Sequence, residues 1–157
     1  MPDQPTVRPD AEVTLREITK DSLRSVIQLS DTLSEQHGNY VASNLYSIAE
    51  AYVNEHAWVR VVYADDVPVG FMMISDKPEE ASYFLWRFMI GGDYQGMGFG
   101  RKAIDCLVEH VKTRPDATEL GVSCGQGEAS PEGFYVKLGF KHTGEKLGSE
   151  VVLKMEL

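Results

Sequence analysis

The 157-residue chain lacks the features that mark several classes of protein. It has only two cysteines, Cys106 and Cys124, and their spacing is not that of metal ligands. We therefore expect no disulfide framework and no metal site, and we expect the reducing cytoplasm as its location. No apolar run is long enough to span a membrane, and the first residues lack the basic and apolar regions of a secretory signal.

Positive charge is also scarce. The chain has 15 lysines and arginines against 24 aspartates and glutamates, a formal net charge of -9. This balance argues against a nucleic-acid partner, which would need a basic surface. The acidic balance has two interpretations. It could attract a cationic small molecule, or it could simply keep the protein soluble, and net charge is better evidence for solubility than for a partner.

The apolar pattern predicts one mixed α/β domain over residues 13–157, after a disordered tail of residues 1–12 that is rich in proline and polar groups. The predicted order is β-α-α-β-β-β-α-β-α-β-β. The segment Ser82–Ile90 (SYFLWRFMI) is apolar on both faces and is predicted to be a central strand. Ser47 and Glu50 have capping-box spacing, so the second helix is predicted to start at Ser47.

Five glycines lie in the ten residues from Gly91 to Gly100, between that strand and an amphipathic helix. The first turn of a helix has free N–H groups and the positive end of the helix dipole, and glycines let an anion approach the backbone closely. Arg101 and Lys102 add positive charge beside them. The segment therefore predicts a site for a cofactor that carries a pyrophosphate.

Two other phosphate-binding motifs fit this segment less well. Residues 98–103 (GFGRKA) match the dinucleotide fingerprint G-x-G-x-x-A, but that fingerprint should follow the first strand of a parallel sheet, and here four predicted strands come before it. The following strand also lacks the terminal acidic residue that would bind a ribose. A P-loop would need a GK[ST] ending, which is absent.

Two motifs together resemble a known family. Residues 95–100 (QGMGFG) are similar to the Q/R-x-x-G-x-G/A motif of the GNAT acyltransferases, and residues 134–140 (FYVKLGF) are similar to that family's tyrosine before a Gly-Phe pair. The resemblance covers residues 13–157. Within the family, the segments YVASNLYSIAEA, VPVGF and FLWRFMI resemble bacterial spermine/spermidine acetyltransferases.

The resemblance implies a GNAT fold, with a splay between the fourth and fifth strands, and acetyl-CoA as the cofactor. It implies transfer of the acetyl group to a primary amine, with a polyamine such as spermidine or spermine as the expected acceptor, by direct attack in a ternary complex. The partner is then a small molecule, and the family also leaves room for a homodimer. Alternatives are another small amine, a protein amine, or a CoA-binding regulatory module without turnover.

The resemblance also assigns roles to residues of this chain. Tyr135 would protonate the departing thiolate. The cofactor would contact Phe88, Met89, Ile90, Gln95, Gly96, Met97, Gly98, Phe99, Gly100, Arg101, Lys102 and Glu128. The substrate would contact Glu35, Tyr40, Asn44 and Tyr83.

This chain departs from the family pattern at two positions, and the sequence leaves the role of Cys124 and the identity of the general base open. Met97 and Glu128 stand where family members often have a basic residue and an asparagine. Cys124 is either an acyl-accepting nucleophile or, as we favour, a small buried apolar residue. The general base is not fixed by the sequence, and the candidates are Glu35, Glu79, Glu80, Glu128 and Tyr83.

Overall fold

The computed structural model of the protein describes residues 6–38 and 40–157, apart from the side chains of Gln36 and His37. The seven strands are β1 (Val13–Arg16), β2 (Ala57–Ala64), β3 (Val67–Lys77), β4 (Ser82–Ile90), β5 (Glu119–Cys124), β6 (Lys141–Leu147) and β7 (Glu150–Glu156). The helices are α1 (Leu23–Gln28), α2 (Glu35–Gly38), α3 (Asn44–Tyr52), α4 (Phe99–Lys112) and α5 (Glu132–Leu138). Short 3-10 turns cover Leu29–Thr32, Pro78–Glu80 and Gly92–Tyr94.

The strands form one sheet in the order β1-β2-β3-β4-β5-β7-β6. Every neighbouring pair is antiparallel except β4 and β5, which are parallel. The predicted mixed fold and its order of strands are confirmed, and the helices differ only by the additional single turn of α2.

The start of α3 differs from the prediction. The helix begins at Asn44, because the Ser43 hydroxyl caps it by accepting a hydrogen bond from the Tyr46 N–H at 3.2 Å. Ser47, the predicted first residue, is fully buried inside the helix. The capping-box prediction was therefore wrong, since a serine one turn earlier already satisfies the free N–H groups.

The two faces of the sheet carry separate cores. On β3, Met72 and Ile74 belong to one core and Phe71 and Met73 to the other, as the alternation of a strand requires. Helices α4 and α5 cover the first face, with buried residues such as Phe99, Leu107 and Phe140. Helices α1 and α3 cover the second face. We call these the α4 face and the α3 face.

Strands β4 and β5 are paired over only two residue pairs. Phe84 lies opposite Gly121 and Leu85 opposite Val122, while β4 continues to Ile90. The pairing of β4 with β3 skips Trp86, because Leu85 and Arg87 face the consecutive residues Ile74 and Met73. Such a bulge bends a strand and increases its twist. The bulge thus lies where β4 departs from β5, and the predicted splay is confirmed.

Part of the predicted N-terminal tail contacts the domain. Ala11 is buried in the core of the α4 face, and the Lys102 ammonium donates to the carbonyl oxygens of Pro9 at 3.0 Å and Ala11 at 3.5 Å. Residues 1–5 lie outside the described residues. In the described part of the chain, no helix has the length and apolar character needed to cross a membrane.

The 3-10 turn before α2 approaches the end of β4 closely, and Gly92 makes this approach feasible. The Gly92 N–H donates to the Thr32 hydroxyl at 2.8 Å. A Cβ added at Gly92 would lie 2.0 Å from the Thr32 carbonyl oxygen, a backbone atom. A larger residue therefore forces the two segments apart.

We expect Gly92→Ala to destabilise the fold by about 1–3 kcal/mol, the usual cost of overpacking. The measurement is the free energy of unfolding in urea. The control is Gly133→Ala in α5, where an added Cβ meets no atom within 4 Å, so the better helix propensity of alanine should raise stability by up to about 1 kcal/mol. Equal stability of the two variants would contradict the close-approach argument.

Candidate active site

A cleft of about 1560 Å³ lies at the splay between β4 and β5. It is lined by β4 from Phe84 to Ile90, by the glycine loop and first turn of α4, by the end of β5 and by α5. Because β4 and β5 are not paired beyond Leu85, the cleft reaches both faces of the sheet. It can therefore receive one molecule from each side.

The glycine loop forms the end of the cleft on the α4 face. Gly96 and Gly98 have φ values of +79° and +86°, which favour glycine, and an added Cβ at either would meet no atom within 4 Å. The first bond of the helix runs from the Lys102 N–H to the Gly98 carbonyl oxygen. The N–H groups of Phe99, Gly100 and Arg101 consequently have no helical acceptor, and all three residues line the cleft. This exposed backbone can hold an anion such as a pyrophosphate.

Tyr135 stands in the wall of the cleft at the splay. Its ring is 95% buried and packs edge-on against Phe134 and Phe140, at centroid distances of 5.4 Å and 5.5 Å. Its hydroxyl has no hydrogen-bond partner among the residues that the structure describes. Burial, and then the nearby Cys124 and Glu150, raise the pKa of Tyr135 above its usual value. The phenol therefore keeps its proton and has a free hydrogen to donate.

Cys124 ends β5 beside Tyr135 and is buried. Burial, and then the charge of Glu132, raise the pKa of the Cys124 thiol. A protonated thiol is a poor nucleophile. This favours the interpretation of Cys124 as a packing residue over that of an acyl carrier.

The α3 face of the cleft carries three of its four charged lining residues, and the fourth is Arg101 on α4. Arg87 on β4 pairs with Glu50 on α3 at 3.2 Å, which neutralises its charge. Glu150 at the start of β7 accepts a hydrogen bond from the Ser123 hydroxyl at 2.7 Å. Lys77 lies further along the cleft, at the end of β3.

The structure brings most of the predicted cofactor residues to the cleft. Those that line it are Phe88, Met89, Ile90, Gln95, Gly96, Gly98, Phe99, Gly100 and Arg101. Three do not. Met97 packs against the core of the α4 face, Lys102 bonds to the carbonyls of Pro9 and Ala11, and the Glu128 carbonyl accepts the Tyr40 hydroxyl at 2.7 Å.

The predicted substrate residues are dispersed. Only Tyr40 lines the cleft. Asn44 is fully buried, with its amide donating to the Val26 carbonyl at 2.7 Å, and Tyr83 donates to the Pro115 carbonyl at 2.6 Å. Glu35 is exposed and outside the cleft. The sequence pattern does not separate these roles, because contacts between distant segments decide which of these side chains is buried.

None of the five candidate bases lines the cleft. Glu79 and Glu80 lie on the turn that joins β3 to β4, away from the splay. The carboxylate that does line it is Glu150, which sequence reasoning missed. The available signal was the alternation of β7, which puts Glu150 on the face opposite Val151, but the pairing of β7 with β5 was needed to locate it.

Comparisons with known proteins agree with this geometry. Residues 21–140 match the acetyltransferase (GNAT) family. The chain is 32% identical to the peptidyl-lysine N-acetyltransferase YjaB of Escherichia coli over 77% of its own length and 71% of that protein. It is 25% identical to a spermine/spermidine N(1)-acetyltransferase of Bacillus subtilis, over 92% of its own length and 99% of that protein.

Solved structures share the fold. The PaiA N-acetyltransferase of Thermoplasma acidophilum in complex with coenzyme A superposes with a TM-score of 0.69 at 16% identity, over 92% of this chain and 99% of that one. An acetyltransferase from Thermus thermophilus superposes with a TM-score of 0.71 at 18% identity, over 92% of this chain and 97% of that one. With a family match over residues 21–140 and a relative above 30% identity, the chain belongs to the GNAT family and is an acetyl-CoA-dependent N-acetyltransferase.

Proposed function

We propose that this enzyme transfers the acetyl group of acetyl-CoA to a small primary amine by direct attack, with both molecules in the cleft at the splay. The observation that carries the proposal is the hydroxyl of Tyr135, which has no hydrogen-bond partner among the described residues. Tyr135 lies in the buried wall of the cleft, between its opening on the α4 face, which we call the cofactor mouth, and its opening on the α3 face, the acceptor mouth. When bound, acetyl-CoA supplies an acetyl group held as a thioester.

The residues of the chain fit this cofactor. The N–H groups at the start of α4, together with the positive end of its dipole, hold the pyrophosphate, and the open backbone at Gly96 and Gly98 lets it approach. Arg101 adds a positive charge at the same mouth. From Trp86 to Ile90, the side of β4 that faces away from β3 has no strand partner. The Trp86 and Ile90 carbonyls accept side-chain hydrogen bonds from Arg87 and Gln95, and the other backbone groups on that side are available to an extended chain.

Tyr135 acts as the general acid. Because its pKa is raised, Oη keeps its proton at neutral pH, and Tyr135 would be the group that supplies a proton to the departing sulfur. Cys124 takes no part, since its thiol is protonated and packed, and direct attack then needs no acyl-enzyme.

The finer prediction of a polyamine acceptor is a second candidate. It is supported by the names of the Bacillus subtilis relatives. The acidic residues of the α2–α3 region give it little support, because Glu50 is paired with Arg87 and Glu35 lies outside the cleft. The two free cysteines are compatible with a cytoplasmic amine pool.

A panel of amines tests the acceptor. A polyamine acceptor predicts that kcat/KM for spermidine exceeds that for a monoamine of equal length, and that the difference shrinks as salt rises. Equal values would remove the polyamine candidate and leave amine acetylation standing. No release of CoA with any amine, including lysine peptides, would contradict the proposed function itself.

For the cofactor end, we expect Gly98→Ala to weaken acetyl-CoA binding by at least about tenfold. The methyl group would point into open space where the phosphate must approach the backbone. Gly144→Ala is a matched control, because Gly144 has a φ of +85°, against +86° at Gly98, and also has no atom within 4 Å.

Both variants carry the same backbone strain, about 1–2 kcal/mol. Calorimetric Kd and Tm separate binding from stability. If Gly144→Ala weakens binding as much as Gly98→Ala does, the loss comes from strain and the phosphate cradle is wrong.

For the general acid, we expect Tyr135→Phe to lower kcat by about 10² to 10⁴ with the Kd for acetyl-CoA unchanged, since only the proton is removed. Tyr83→Phe is the control, another buried tyrosine that is outside the cleft. It should keep kcat and lose about 1 kcal/mol of stability with its bond to Pro115.

The raised pKa also makes a pH prediction. Ionisation of Tyr135 should not reduce kcat at any pH below about 10, the ordinary value for a phenol. A wild-type kcat in Tyr135→Phe, measured where chemistry limits the rate, would remove Tyr135 from the mechanism.

A further inference from the structure

An ammonium cannot attack a thioester until it loses a proton, so the acceptor mouth of the cleft needs a base. Glu150 is half-buried and lines the cleft. Its carboxylate contacts the Ser123 hydroxyl at 2.7 Å and forms none of the ion pairs found among the described side chains. It is therefore a free, oriented anion.

The alternation of the strands places Glu150 on the α3 face. Val122 and Cys124 belong to the core of the α4 face, so Ser123 between them points the other way. Val151 also belongs to that core, so Glu150 before it points to the α3 face as well. The hydrogen bond between Ser123 and Glu150 agrees with this placement.

Glu150 is also close to the reacting centre. Its charge contributes to the raised pKa of Tyr135 and of Cys124, after burial and the other nearby groups. The Ser123 hydroxyl contacts it, the Cys124 thiol and the Tyr135 phenol are within range of its charge, and all four residues line the cleft. The acid stands on the α4 face of the splay and the carboxylate on the α3 face.

We propose that Glu150 is the general base that takes the proton from the amine, held in position by Ser123. The proposal rests on the proposed function. The ammonium gives one proton to the Glu150 carboxylate, and its nitrogen lone pair then forms the amide bond while the carbon–sulfur bond breaks. Tyr135 protonates the sulfur and regains a proton from the amide nitrogen, and Glu150 releases its proton to solvent. The sum is one amide, one thiol and one proton.

The test is Glu150→Gln, which keeps the shape and the hydrogen bond with Ser123. We expect kcat/KM for the amine to fall by about 10² to 10⁴ at neutral pH, with acetyl-CoA affinity unchanged. The deficit should shrink as pH rises, because the amine then loses its proton in solution. A residue that only supports the structure would leave the shape of the pH profile unaltered.

The control is Glu156→Gln at the other end of β7, a residue outside the cleft, which should match the wild type. Glu150→Asp retains a carboxylate and should recover part of the rate. If Glu150→Gln does not fold, the rate of Glu150→Asp provides the test instead. Ser123→Ala should lower kcat severalfold, since the carboxylate loses its orientation.

Two results are distinguishable. A wild-type enzyme that releases no CoA with any amine would contradict the proposed function. An active wild type whose Glu150→Gln variant has the same kcat/KM and the same pH profile would overturn the role of Glu150 and leave the acetyl transfer intact.

Discussion

The separation of β4 from β5 is the constraint on which the site depends. Two residue pairs join these strands, and the bulge at Trp86 then bends β4 away. Backbone groups left without partners in a protein interior are costly unless something else bonds them. A cleft runs along this edge, and the other five strands and the two cores hold β4 and β5 apart.

The opening also joins two environments that the sheet would otherwise keep separate. On the α4 face the glycine loop and helix terminus provide hydrogen-bond donors for an anion, and Tyr135 is the proposed proton donor. On the α3 face Glu150 provides an acceptor. In the proposed mechanism the two sides separate two proton transfers, since the ammonium loses its first proton on the α3 side while the sulfur gains one from the α4 side.

The sequence predicts those parts of this arrangement that depend on local geometry. Gly98 can be recognised from the glycines that precede a helix, and Tyr135 from the family motif of a tyrosine before a Gly-Phe pair, because both are patterns of neighbouring residues. Glu150 cannot, because its role follows from β7 pairing with β5 across α5, a contact between distant segments. The prediction of Asn44 and Tyr83 as substrate residues fails for a similar reason. Only the folded chain reveals that the Asn44 amide N–H and the Tyr83 hydroxyl donate to backbone carbonyls of distant segments.

The charge of the cleft differs from the charge of the chain. The net charge of -9 leaves a cationic partner as one of two interpretations, yet the charged residues that line the cleft are Lys77, Arg87, Arg101 and Glu150. Arg87 is neutralised by Glu50, and Arg101 lies at the cofactor mouth. Near the splay this leaves one carboxylate for one ammonium. A single carboxylate is sufficient for the proposed proton transfer and insufficient to pair with several positive charges. The lining of the cleft therefore supports recognition of one amine group more than recognition of a polycation.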